Sequence, residues 1–97
     1  MPTRDVLKSF WRDWDALTAE ERLAFRGAVA KFVEDLRAGQ GLRKGLRVKG
    51  VQGARGIYEL TWAPNGRATF QFGRAVRDGE PHVIWRRIGG HEILDSP

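Results

Sequence analysis

Ninety-seven residues with a net charge of +5, no cysteine and two histidines leave no room for a disulfide framework or a thiolate metal site, and argue against structural zinc. No apolar run approaches the ~20 residues that span a bilayer. Met1-Pro2-Thr3-Arg4-Asp5 has neither the basic start nor the apolar core of a signal peptide.

The expectation is one cytoplasmic domain over residues 1–97, with no membrane association, metal or cofactor. A chain of this size buries roughly 60–70% of its unfolded surface, which is enough for a core without staples. Acids and bases balance over residues 1–40. The basic excess lies in residues 41–97, which carry Arg43, Lys44, Arg47, Lys49, Arg55, Arg67, Arg74, Arg77, Arg86 and Arg87. That asymmetry suits a polyanion-binding surface, and equally a solvated basic exterior.

In chain order, Val6, Phe10 and Trp14 recur every four residues. Leu7, Trp11 and Leu17 widen the stripe, as in a helix with one apolar face. Thr18-Ala19-Glu20-Glu21 reads as a capping box for a second helix running to about Ala38. Phe25, Val29, Phe32, Val33 and Leu36 line its inner face, and Gly39 stands where a left-handed cap belongs. The short break predicts an antiparallel helical hairpin. Three glycines make residues 39–45 a loop.

From Leu46 the period becomes two. Gly56 to Trp62 reads as a strand, and Ala63-Pro64-Asn65-Gly66 as a turn in which Asn-Gly supplies residues tolerant of positive φ. A second strand follows from Arg67 to Phe72, with an extension to Val76 left open, then a turn at Asp78-Gly79. A third runs from Val83 to Ile88 and ends at Gly89-Gly90. The expected fold class is α+β, with an N-terminal helical hairpin packed on one face of a three- to four-stranded antiparallel sheet.

Alternation sorts the strand side chains. Tyr58, Leu60, Trp62, Ala68, Phe70 and Phe72 face the helices. Glu59, Thr61, Arg67, Thr69 and Gln71 share the other face. The third strand is ambiguous. Taking Ile84 and Ile88 as core puts Val83, Trp85 and Arg87 on the polar face, with His91 beyond them, and leaves Arg86 and His82 on core parity. His82 reads as structural.

Cleavage of RNA by transesterification needs a base for the 2′-hydroxyl proton, cations on the phosphate and an acid for the leaving 5′-oxygen. Glu59, Arg67 with Arg87, and His91 have the chemistry for these roles, and Trp85 has a ring to stack on a base. Each also has a plainer reading: Glu59 and Arg67 as solvated charges, His91 as a loop residue, Trp85 as a side chain covered by a terminal segment.

The run Leu46-Arg47-Val48-Lys49-Gly50-Val51-Gln52-Gly53-Ala54-Arg55-Gly56-Ile57-Tyr58-Glu59-Leu60-Thr61-Trp62 resembles the L-x-V-K-x-L-x-G … G-I-Y-E-L-R-W passage of the RelE/ParE superfamily of bacterial toxins. Gly66-Arg67-Ala68-Thr69-Phe70 is similar to that family's Y-R-V-x-Y/F. Trp85-Arg86-Arg87-Ile88-Gly89-Gly90-His91-Glu92 is similar to its L-x-x-x-G-x-H-x. Phe10, Trp14 and Leu17 stand where the family opens its helical hairpin.

The resemblance implies a RelE-like microbial RNase fold and the toxin of a type II toxin–antitoxin system. Such a toxin is a metal-independent endoribonuclease that cuts mRNA, commonly on the ribosome, inhibits translation and is silenced by a cognate antitoxin. It further implies catalytic roles for Glu59, Arg67 and His91. Thr61 falls on the strand that presents catalytic side chains, and Arg47 and Lys49 fall in a basic segment for RNA, to which the charge excess itself adds Arg43 and Lys44 as RNA-backbone contacts. Two alternatives stay open: a ParE-like toxin that inhibits DNA gyrase by binding, and a non-catalytic member. The family usually starts with a strand before the first helix, and here only Met1 to Asp5 is available for one. No tyrosine follows His91.

Overall fold

The computed structural model describes residues 2–97. In chain order it contains β1 (Thr3–Val6), α1 (Lys8–Asp15), α2 (Ala19–Ala38), a 3-10 turn (Lys44–Leu46), β2 (Lys49–Gly50), β3 (Tyr58–Ala63), β4 (Gly66–Gly73), β5 (His82–Gly89) and a C-terminal 3-10 helix (His91–Asp95). The strands form one sheet in the order β1-β5-β4-β3-β2. β1 runs parallel to β5, and the remaining neighbours are antiparallel. The sheet is therefore mixed and five-stranded, where the sequence predicts three or four antiparallel strands. The two extra strands are four and two residues long, too short to show a periodicity.

Local signals placed the second helix well. The Thr18 hydroxyl accepts from the Glu21 N–H, and the Glu21 carboxylate accepts from the Thr18 N–H, closing the capping box. Gly39 closes the helix in the left-handed conformation, with φ of 71°. Helix α1 starts later than its apolar stripe suggests, because Val6 belongs to β1.

Both helices feed one core. Phe10, Phe25, Ala28 and Phe32 pack with Leu60, Ala68, Phe70, Val83, Trp85 and Ile88. Phe10 meets Phe25 at 5.7 Å between ring centroids, and Phe32 meets Phe70 at 5.0 Å. Burying these rings supplies most of the driving force, at about 25 cal/mol per Å² of apolar surface.

A bulge in β5 overturns the sequence reading of that strand. Thr69 pairs with Arg87 but Phe70 pairs with Trp85, so Arg86 is the extra residue. Trp85 and Ile88, three apart, consequently share the helix-facing side with Val83, and His82 and Ile84 take the other face. Trp85 is only 4% exposed.

Helix α1 satisfies the backbone at this irregularity. The Ser9 hydroxyl donates to the Arg86 carbonyl at 2.6 Å, and an Asp13 carboxylate oxygen accepts from the Ile88 N–H at 3.1 Å. Ser9 and Asp13 lie four apart, on one helical face.

The turn after β3 also differs from expectation. Pro64 and Asn65 form a two-residue connection, since Ala63 pairs with Gly66. Neither Asn65 nor Gly66 has a positive φ. Trp62 is the irregular residue between Thr61 and Ala63, and its ring lies across Gly66. A Cβ there would come within 2.6 Å of the indole. Glycine is required by this close approach, whatever its backbone freedom.

Candidate active-site pocket

The sheet face turned away from the helices carries the polar set that alternation predicts. Glu59 pairs across strands with Thr69, and Thr61 with Arg67. The C-terminal 3-10 helix packs on this face, against β4 and β5. It buries Ile93 and helps close off the face, where Thr69 is wholly inaccessible. What remains open is a pocket of about 400 Å³ at the β2 side, lined by Lys49, Gln52, Glu59, His91 and Leu94, among others.

Three elements converge there. Lys49 on β2 stands directly opposite Glu59 on β3. His91 opens the C-terminal 3-10 helix, just past Gly90. Glu59 is 6% exposed, and its Oε1 lies 3.8 Å from Arg67 Nε. A second basic depression, of about 420 Å³, is lined by Leu42, Arg43, Lys44, Arg47, Val48 and Lys49. Lys49 borders both, so a strip of cations leads to the Glu59–His91 pocket. No ion pair involves Lys44, Arg47 or Lys49 among the described residues.

The other candidates fall elsewhere. Arg67 holds the β3–β4 turn, its Nη1 donating to the carbonyls of Pro64 at 3.2 Å and Gly66 at 3.0 Å, while its Nε keeps the contact with Glu59. Thr61, its cross-strand partner, borders a depression with Lys31 and Arg43 beside α2. Arg43 is held bidentately by Asp35, at 2.9 and 2.8 Å. This pairing holds the Asp35 carboxyl down at about 2 and raises the guanidinium pKa. Its charge is already matched.

Arg87 was expected on the open polar face. Instead its guanidinium clasps Asp13, at 2.7 and 3.1 Å, and donates to the Ser96 carbonyl. Its pKa is raised, chiefly by the hydrogen bond to Asp13. Trp85 was expected as a stacking platform and instead lies in the core between Phe10, Phe25, Phe32 and Phe70. The bulge at Arg86 accounts for Trp85, whereas Arg87 keeps its parity opposite Thr69 and has its charge taken by Asp13.

Arg86 itself donates to the Gln71 carboxamide oxygen and to the Pro97 carbonyl. Gln52 was not anticipated at the pocket. It sits in the irregular segment between β2 and β3, where no alternation could assign it a direction. His82 is structural as expected: it is buried, and bonds Thr3 Oγ1 at 2.7 Å and Asp5 Oδ2 at 3.0 Å, tying β1 to β5.

A mixed sheet with two preceding helices packed on one face defines the fold class, α+β. It is the fold of RelE- and ParE-type toxins. A copper-bound mutant toxin from Helicobacter pylori shares it at 21% identity, covering 97% of this chain and 99% of that one, with a TM-score of 0.62. The RelB–RelE antitoxin–toxin complex from Methanococcus jannaschii does so at 16% identity, 94% of each chain and a TM-score of 0.61. A YoeB/ParE toxin from Agrobacterium tumefaciens matches at 12% identity, 92% of this chain and 98% of that one, with a TM-score of 0.65. No protein-family model matches the sequence, and no curated protein matches it significantly.

Proposed function

We propose that the chain is the toxin of a type II toxin–antitoxin system, acting in the cytoplasm as a metal-independent endoribonuclease on mRNA. The observation that carries this reading is the single pocket shared by Lys49, Glu59 and His91, fed by Lys44 and Arg47. In the reaction, the Glu59 carboxylate takes the proton of the ribose 2′-hydroxyl. The 2′-oxygen attacks phosphorus, the bond to the 5′-oxygen breaks, and His91 protonates that leaving oxygen. The products are a 2′,3′-cyclic phosphate and a 5′-hydroxyl. Lys49 is placed to stabilise charge on the phosphate. Arg67 acts through Glu59, holding its carboxylate in position. Lys44 and Arg47 bind the backbone of the RNA, on or off the ribosome, and a cognate antitoxin silences the protein, as the complexed form of a neighbouring fold suggests.

Gyrase inhibition by binding is the second reading. It is favoured by the commitment of Arg43 and Arg87 to internal carboxylates, which removes two cations from the RNA surface, and it would not use the pocket. The test is purified chain incubated with RNA, with and without ribosomes, and with relaxed plasmid and gyrase. The ribonuclease reading expects cyclic-phosphate ends that disappear in His91→Ala. Intact RNA in every condition, together with blocked supercoiling, would replace it with the gyrase reading.

A further inference from the structure

On the polar face, four strands put four side chains in one row. Lys49 on β2 stands opposite Glu59 on β3, Glu59 opposite Thr69 on β4, and Thr69 opposite Arg87 on β5. Residues opposite one another point to the same side of a sheet, with Cβ atoms about 4.5–5.5 Å apart. The proposed reaction uses Lys49 and Glu59, and Arg87 is held by Asp13. Thr69 is left without a role. It is wholly inaccessible, and its hydroxyl has no hydrogen-bond partner among the described residues. Such a hydroxyl destabilises a fold, and valine would fill the same space without that cost. Glu59 has the complementary deficiency. Its carboxylate is buried and makes no hydrogen bond among the described residues. Its ion-pair partner, Arg67 Nε, is 3.8 Å away, beyond hydrogen-bond length. Arg67 gives its Nη1 to the carbonyls of the β3–β4 turn. A donor without an acceptor and an acceptor without a short donor thus stand opposite each other on β3 and β4.

We propose that Thr69 is a positioning residue for Glu59. When RNA occupies the pocket, Thr69 steps between staggered χ1 wells and its hydroxyl donates to one oxygen of the Glu59 carboxylate. That oxygen is then fixed, and the other is left for the 2′-hydroxyl whose proton it takes. The same hydrogen bond favours the ionised carboxylate, which is the form that acts as base. Arg67 restrains Glu59 at ion-pair distance, and Thr69 supplies the short, directional contact that Arg67 does not. The role rests on the ribonuclease reading of the pocket. The plainer account is a threonine present for its shape, since a β-branched side chain suits a strand and the C-terminal 3-10 helix packs over this one. Valine has that shape and lacks the hydroxyl, so the two accounts separate.

The test compares the full chain with Thr69→Val and Thr69→Ser. Each is followed by a melting curve and by cleavage of a short RNA across the pH range, with ribosomes added to all three if the parent requires them. Thr69→Val removes only the unpartnered hydroxyl and should melt at or above the parent. It should nevertheless lower kcat by roughly 10–100-fold with KM changed less than about twofold, because the RNA contacts remain and the base is misplaced. The acidic limb of its kcat profile should move to higher pH, since a carboxylate that loses a donor is protonated more readily. Thr69→Ser keeps the hydroxyl and loses a buried methyl. It should melt below the parent, cut at close to the parent rate and keep the acidic limb in place. Activity and stability then move in opposite directions in the two variants, which a packing role would not produce. If Thr69→Val cuts at the parent rate with an unmoved acidic limb, the hydroxyl does not position Glu59, and the ribonuclease reading stands without it. Equal losses in both variants would also overturn the role and assign the effect to packing. A parent that leaves RNA intact in every condition would remove the ribonuclease reading, and the role of Thr69 with it.

Discussion

His91 is exposed at the start of the C-terminal 3-10 helix, and its side chain makes no hydrogen bond among the described residues. His91→Ala should therefore change stability by less than about 0.5 kcal/mol, yet lower RNA cleavage by roughly 10²–10⁴ through loss of a general acid. A melting curve paired with a cleavage assay separates the two. Glu59 differs, since it is buried beside Arg67. Glu59→Gln keeps the shape but leaves Arg67 without its carboxylate, so it should lose activity and some stability together. Arg43 and Asp35 give a pH signature. The Asp35 carboxyl is held at about 2, below its ordinary 3.8, by Arg43. A depressed carboxylate stabilises above its unfolded pKa and loses that contribution as pH falls through the folded one. Arg43→Gln should therefore melt slightly below the parent at neutral pH, with the gap closing as the pH drops from about 4 to about 2.

At the scale of elements, the bulge in β5 and the face of α1 depend on each other. Asp13 accepts from the Ile88 N–H and clasps Arg87. Asp13→Ala strands a buried donor and an arginine at once, and should destabilise by about 1–3 kcal/mol, read as a lowered Tm. Asp13→Asn should recover part of it by keeping an acceptor for Ile88. The β3–β4 hairpin has its own constraint. Gly66→Ala drives a methyl into the Trp62 ring, and the ring is set in a bulge with little freedom to retreat. The expected cost is about 1–3 kcal/mol from overpacking. A parent-like melting curve would show that the indole can swing clear.

Over the whole molecule, charge is segregated by what neutralises it. Arg43 and Arg87 carry the same formal charge as Lys44, Arg47 and Lys49 but are matched internally. If the chain binds single-stranded RNA along the Lys44–Lys49 strip, affinity should fall by about 0.7 log units per log unit of salt for each phosphate contacted. Replacing Lys44, Arg47 and Lys49 with glutamine should flatten that slope, while Arg43→Gln should hardly alter it. Equal effects at all four positions would mean that the Asp35 pairing opens on binding. No helix among the described residues is long and apolar enough to cross a membrane.

The local features were legible in the residues themselves. The capping box at Thr18, the cap at Gly39, the order of strands β3, β4 and β5, and the polar parity of Glu59, Thr61 and Arg67 each rest on interactions a few residues long, or on a period of two. Three things were decided only in the folded chain. β1 exists because His82 and the edge of β5 receive four residues too few to carry a pattern. Trp85 moves into the core because one inserted residue, Arg86, resets the alternation before Arg87, and its cost is met by Ser9 and Asp13, over seventy positions away in the chain. The meeting of Lys49, Glu59 and His91 needs β2 paired to β3 and the C-terminal 3-10 helix folded back on β4 and β5. Alternation assigns a side chain to a face, but only the packing of distant segments determines which part of that face stays open.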